Sequence, residues 1–180
     1  MKPLQSIAMG LVFLALVVRV GGEYDVIPDP LGWLLILQGL GRLPAALPHR
    51  PALRTLGLVA LIMSAVLWFP GLVDGLADAD EALLWAATLP QLAFVALLCR
   101  ALAALADARA AAWLRTAAVL TVAAALLPVV VLGGDQLALV GVMVISSALV
   151  LILVIVLLFR YANRPWALDG LAPARATDVV

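Results

Sequence analysis

The segment RTAAVLTVAAALLPVVVLGGD, residues 115–135, holds 19 uncharged residues between Arg115 and Asp135. An α-helix rises 1.5 Å per residue, so roughly 20 apolar residues cross about 30 Å of hydrocarbon. This segment is therefore long enough to span a lipid bilayer as a helix. Residues 55–73 form a second uncharged segment of 19 residues, and residues 82–99 form one of 18. All three predict transmembrane helices.

The composition agrees with a membrane protein. Hydrophobic residues make up 66% of the 180-residue chain and charged residues 12%, against roughly half and a quarter in a typical soluble domain. The formal net charge is zero, and no basic stripe indicates a nucleic-acid partner. Cys99 and His49 are the single cysteine and the single histidine. An intramolecular disulfide, a cysteine metal cluster and a multi-histidine metal site are therefore excluded.

Three more apolar segments bring the predicted number of spans to six. They are bounded by Lys2 and Arg19, by Asp29 and Arg42, and by Asp135 and Arg160. Six crossings place ten of the eleven basic residues on one side of the membrane, and only Arg19 on the other. This is the positive-inside pattern, which puts both termini in the cytoplasm. The ten arginines against one lysine, with abundant alanine, are typical of a GC-rich bacterial genome.

The predicted fold is an all-α, polytopic transmembrane bundle of six helices in one domain, residues 1–166. A loosely ordered cytoplasmic tail is expected for residues 167–180. The apolar start of the chain resembles a signal peptide, but no small-residue cleavage site follows it, so we expect a retained first span. The expected location is the bacterial inner membrane.

The second segment, YDVIPDPLGWLLILQGLGRL at residues 24–43, is unusually short. A helix between Asp29 and Arg42 would rise only about 20 Å, so a re-entrant hairpin and a short full crossing are both possible. The charge sorting favours the crossing, with the helix continuing through residues 43–47 and Arg42 reaching to the interface. Asp29 followed by Pro30 predicts an N-cap and a helix start, and Trp33 is expected to be an interfacial anchor.

This stretch also resembles a short signature in small, mostly uncharacterised multi-pass bacterial membrane proteins. The signature is Pro-Asp-x-x-Gly-aromatic, followed by an apolar run and Gly-Leu-x-x-Leu. It covers about a tenth of the chain and is carried by Pro28, Asp29, Gly32, Trp33, Gly39 and Leu40. The resemblance implies a membrane protein and no particular activity. Gly32 and Gly39 lie on one helix face, where we expect close helix packing.

Five polar residues are predicted to lie near the middle of the membrane: Gln38, Ser64, Gln91, Ser146 and Ser147. Pro90, beside Gln91, leaves the carbonyl near Ala86 without its helical donor. Together these groups could form a polar pocket that binds a substrate. Alternatively, each side chain bonds a neighbouring helix, a contact worth on average about 0.6 kcal/mol in membranes.

A second candidate site is an outer charge cluster of Arg19, Asp25 and Asp29 at the non-cytoplasmic side. These side chains could line a vestibule, or Asp29 could act only as a helix cap.

Two classes of function remain open. The first is a binding or transport component for a small, neutral or weakly polar solute, or an accessory subunit of a larger membrane complex. The second is an enzyme acting on lipid or lipid-linked substrate at the outer leaflet, with Asp25, Asp29 and the acidic residues of the 74–81 loop as acid/base candidates. No histidine falls on that face and no carboxylate pair falls within a span, which favours the first class. No cofactor is indicated, and the expected partners are the lipid bilayer, the solute and other membrane subunits.

Overall fold

The computed structural model describes residues 1–16, 19–20, 24–25, 29–68, 71, 75, 81–133 and 140–168. Its main helices are α1 (Pro3–Ala15), α2 (Asp29–Gly41), α3 (Arg50–Leu67), α4 (Glu81–Leu105), α5 (Ala108–Gly133), α6 (Val140–Tyr161) and the short α7 (Pro165–Leu168). Between α1 and α2, the two-residue strands β1 (Arg19–Val20) and β2 (Tyr24–Asp25) pair antiparallel. The predicted all-α class is confirmed.

Four helical segments are long and apolar enough to cross a membrane: Arg50–Leu67, Trp85–Leu105, Ala108–Val130 and Val140–Tyr161. Large apolar side chains on α5 and α6 are exposed, among them Val119, Val130, Val142 and Leu149. Exposed apolar side chains over such long helices are compatible with a lipid surround and unfavourable in water. The chain is thus a membrane protein, as its composition predicts.

The six longer helices form a closed ring. Each one packs on its neighbours in sequence order, and α6 packs on α1 to complete the ring. Within α1 and α2, Gly10 lies against Gly32 while Pro3 lies against Gly39, so these two helices are antiparallel. The connection between α4 and α5 is only two residues long, which makes these neighbours antiparallel as well.

Several helix ends meet at one end of the ring. Arg50, at the start of α3, donates a hydrogen bond of 2.6 Å to the Gly41 carbonyl oxygen at the end of α2. Lys2, before α1, donates to the side-chain oxygen of Asn163, just after α6. Residues from the start of α5 and the end of α6 share one cleft. We call this the arginine end, because it carries Arg42, Arg50, Arg54, Arg100, Arg109, Arg115, Arg160 and Arg164.

The second helix is shorter than the sequence predicts. It begins at Asp29, as expected, but it ends at Gly41, so the predicted continuation through residues 43–47 is wrong. Turns follow instead, and Leu43 and Leu47 fold back into the core. The carbonyls left open at the end of α2 accept hydrogen bonds from Arg50, which stabilises the early stop.

Helices α1 and α2 approach each other closely because glycines line their contact. A β-carbon added at Gly32 would lie 2.7 Å from the Gly10 carbonyl oxygen, and one added at Gly39 would lie 2.7 Å from the Pro3 carbonyl oxygen. The Ser6 hydroxyl donates across the same contact to the Leu35 carbonyl, at 2.8 Å. The close packing predicted for Gly32 and Gly39 is confirmed.

The centre of the ring contains an aromatic pair. The rings of Trp33 on α2 and Phe94 on α4 lie 5.3 Å apart at 81°, a favourable edge-to-face geometry. Gly57 on α3 lies beside both helices, where an added β-carbon would meet Cδ2 of Leu37 at 2.8 Å and the Phe94 ring at 3.5 Å. Trp33 is fully buried, so its predicted role as an interfacial anchor is wrong. It shares a helix face with Ile36 and Leu40, and that face points inward.

Candidate functional site

Three polar residues lie on the far side of the aromatic pair from the arginine end. Asp29 is one turn before Trp33 on α2, Gln91 is one turn before Phe94 on α4, and Ser64 is two turns after Gly57 on α3. Arg50, at the start of α3, bonds the end of α2, so these two helices are antiparallel. In α4, Arg100 at the arginine end follows Phe94, so all three steps lead away from that end. Helical spacing therefore puts Asp29, Ser64 and Gln91 on the helix faces of Trp33, Gly57 and Phe94, farther from the arginine end. We call them the inner polar cluster.

Ser64 and Gln91 offer hydrogen-bonding capacity that the described part of the protein does not use. All three residues are half-buried. The Ser64 hydroxyl donates to the Leu61 carbonyl at 3.0 Å, which leaves its oxygen free to accept. In the part of the chain that the structure describes, the Gln91 amide has no hydrogen-bond partner. Below the cluster, the buried indole N–H of Trp33 has none either, among the same residues.

Pro90 adds a backbone acceptor beside Gln91. It lies inside α4, and its nitrogen carries no hydrogen to donate to the carbonyl of Ala86 one turn earlier. The site can therefore present an amide, a hydroxyl oxygen and a backbone carbonyl beyond the aromatic pair. Such a mixture is suited to binding a small molecule that carries hydroxyl or amide groups.

The other predicted pocket residues are on α2 and α6. Gln38 is exposed on α2, next to Gly39 and near the arginine end. Ser146 and Ser147 are on α6, and the Ser146 hydroxyl donates to the Met143 carbonyl in its own helix, at 2.9 Å. In the ring, α5 lies between α4 and α6. Over the described ranges, no hydrogen bond joins any two of the five residues, so a pocket shared by all five stays a prediction.

The outer charge cluster is described only in part. The backbone of Arg19 lies opposite that of Asp25 in the β1–β2 pair, and Asp29 lies in the first turn of α2, where a carboxylate interacts favourably with the helix dipole. The side chains of Arg19 and Asp25 lie outside the described part. So do the acidic candidates of the outer loops: Glu23, Asp74, Asp78, Asp80, Asp135 and the side chain of Glu81.

The arginine end holds three clefts between neighbouring helices. One, of about 350 Å³, lies between α2 and α3 beside Arg50 and Arg54. Another, of about 500 Å³, lies between α4 and α5 beside Arg100 and Arg115. The smallest, of about 50 Å³, lies between α5 and α6 and contains Asp107 together with three arginines. Within the described ranges, no group of three His, Cys, Asp or Glu residues could hold a metal ion.

Sequence reasoning placed these arginines on one side of the membrane without pairing them. Arg100 and Arg115 line one groove because α4 and α5 form a tight antiparallel hairpin. Along the sequence, the two arginines lie at nearly equal distances from the two-residue connection, and this spacing could have predicted that they share a groove. Likewise, the sequence assigned Asp29 to the outer charges and not to the group of Ser64 and Gln91, because the predicted bounds of the spans do not show which helix faces point inward.

No protein family, no characterised protein and no solved structure matches this chain.

Proposed function

We propose that the protein is a six-crossing component of a bacterial inner membrane that binds a small, neutral or weakly polar solute at the inner polar cluster. It works as part of a transport system or as an accessory subunit of a larger membrane complex. The observation that carries this proposal is that Asp29, Ser64 and Gln91 lie one to two turns beyond Trp33, Phe94 and Gly57 on three helices that pack in sequence order.

The length of α2 supports an intramembrane position for this cluster. Its 13 residues rise about 20 Å, whereas the hydrocarbon core is about 30 Å thick. If the arginine end lies at the cytoplasmic surface, Asp29 at the opposite end of α2 falls short of the outer surface. Ionisable residues at such depths are costly, and they typically mark binding sites or transport paths.

The topology rests on the charge distribution and can be tested directly. A reporter that is active only outside the cytoplasm should be silent when fused after Arg50, Arg109 or Arg175, and active when fused after Gly75 or Gly134. Both termini are then cytoplasmic and all six segments cross. Activity after Arg50 together with silence after Gly75 would mean that the second segment turns back, and six crossings would be wrong.

Solute binding can be tested by mass spectrometry of small molecules that copurify with the protein. We expect a compound that is retained by the parent and by Thr55→Val, an exposed position on α3 near the arginine end, but lost from Gln91→Leu. Losing one hydrogen bond to a buried polar group costs about 1–3 kcal/mol, which would lower the affinity at least severalfold. Equal retention by both variants, or no retained compound, would contradict the proposed site.

The alternative of an outer-leaflet enzyme predicts a different result in the same experiment. A lipid-linked substrate and its product would both copurify, and Gln91→Leu would leave their amounts unchanged. Substitution of the outer acidic loop residues would instead shift the ratio of substrate to product.

A further inference from the structure

The groove between α4 and α5 at the arginine end combines charge with an apolar floor. It is lined by Arg100, Ala104, Arg115, Ala118, Val119 and Val122 and has a volume of about 500 Å³. Both arginines are exposed, and so are Val119 at 68% and Val122 at 50%. Its volume lies within the range of roughly 300–1,000 Å³ that is typical of small-ligand sites.

Among the described residues, the two arginines have no protein counter-charge. Across the described ranges, neither guanidinium makes a hydrogen bond or an ion pair with the protein. Arg50 differs, because it already donates to the Leu40 and Gly41 carbonyls. Two like charges beside one groove repel each other. Paired guanidinium groups are well suited to the oxygens of a phosphate, which they can bind in a bidentate manner.

The groove also runs from the arginines toward the opposite end of the helices, which is the direction in which the acyl chains of a bound lipid would extend. From Arg115, the residues Val119 and Val122 follow α5 away from the arginine end, a rise of about 10 Å to Val122. A headgroup at the arginines therefore has an apolar surface leading from it toward the centre of the bilayer. A free phosphate ion would use only the rim of this groove and leave the valines exposed. The charge and the direction together indicate an amphiphile.

We propose that this groove binds an anionic phospholipid, with the phosphate between Arg100 and Arg115 and an acyl chain along Val119 and Val122. The site is separate from the inner polar cluster. It rests on the proposed insertion of α4 and α5 in the membrane, but not on the binding of a solute. Arginine-rich clefts between helices at the cytoplasmic side are suited to this class of lipid.

The test is native mass spectrometry of the full chain in neutral detergent, titrated with phosphatidylglycerol and, separately, with phosphatidylcholine. We expect tighter binding of phosphatidylglycerol. Arg100→Gln or Arg115→Gln should weaken it about fivefold, and the double variant about thirtyfold. Arg42→Gln is the matched control, because it removes an exposed charge at the same end, outside the groove. It should change the affinity less than twofold.

Two further arms separate a lipid from a simple anion. Val122→Trp keeps both arginines and fills the groove, so it should weaken phosphatidylglycerol binding severalfold. Inorganic phosphate should not displace the bound lipid. Equal binding of the two lipids, equal effects of the double variant and Arg42→Gln, or full displacement by inorganic phosphate would each overturn the proposal.

A failure here is distinguishable from a failure of the proposed function. Release of the chain from membranes by alkaline carbonate would refute membrane insertion, and with it both proposals. Retention in the membrane without a preference for phosphatidylglycerol would refute only the lipid site.

The double variant itself is checked by its melting temperature, and Arg100→Lys supplies a second variant. It keeps the charge without the planar fork, so it should bind the lipid more weakly than the parent and more tightly than Arg100→Gln.

Discussion

Substitution of Gly10 by alanine tests whether the α1–α2 contact depends on the absence of a side chain. An added β-carbon at Gly10 would collide with the Gly32 carbonyl oxygen and lie 2.6 Å from Cγ1 of Ile36. Carbon contacts are optimal at roughly 3.5–4.0 Å, so the gap is about 1 Å too small. The obstructing carbonyl belongs to the backbone, which no change of rotamer can move, so the two helices have to separate.

The expected cost follows from two opposing effects. Overpacking of this kind costs about 1–3 kcal/mol, and the upper half of that range applies here because a helix must shift. Alanine recovers up to about 1 kcal/mol over glycine through its helix propensity. A net loss of about 1–2 kcal/mol should lower the melting temperature of a chain of this length by about 2–8 °C.

The assay is thermal unfolding in detergent, followed by far-UV circular dichroism. Gly141→Ala is the matched control, because Gly141 lies in α6 with no atom within 4 Å of an added β-carbon. It should melt at or slightly above the parent temperature. A Gly10→Ala protein that melts at or above the parent would refute the close backbone contact and, with it, the packing of α1 on α2.

Three other experiments probe separate features. Arg50→Gln removes the cation at the end of α2 and should cost about 1–2 kcal/mol of stability, measured as a lower melting temperature. The exposed Arg54→Gln should change stability by less than about 0.5 kcal/mol, and equal effects of the two variants would refute the capping role. Asp29→Asn should melt like the parent and Asp29→Ala should lose about 1 kcal/mol, while equal losses in both would show that the charge itself is needed. Cys99 is fully buried, so it should resist a maleimide reagent under conditions that label a cysteine placed at Ala46, an exposed loop position. Rapid labelling of Cys99 would contradict the packing of α4.

Predictions from the sequence succeeded where the signal was local. The start of α2 was predicted correctly because Asp29 and Pro30 are start signals in themselves. The end of α2 was predicted wrongly, although Gly41 and Pro44 are both stop signals. A full crossing requires a longer helix, so the prediction extended α2 past both signals. In the structure, the stop is stabilised by Arg50, a residue from the next helix.

For the candidate site too, the sequence indicated individual residues but not which helix faces pack together. Ser64 and Gln91 were identified because polar residues in long apolar segments are rare and costly. Asp29 was assigned to a different group, and Trp33 to the membrane interface. The surroundings of both residues depend on which face of α2 points inward, and that face is set by glycines packing against α1. Periodicity shows that a helix has faces, but not which neighbour each face will contact.

The sequence alone determined the membrane class, the helical secondary structure and the collection of positive charge in alternate loops. These follow from transfer free energies and from helix propensities, which act residue by residue along the chain. Only the tertiary structure decided the closed order of the helices, the burial of Trp33 against Phe94, and the shared groove of Arg100 and Arg115. Such juxtapositions depend on close packing between residues far apart in the chain, where a single glycine sets how near two helices can come.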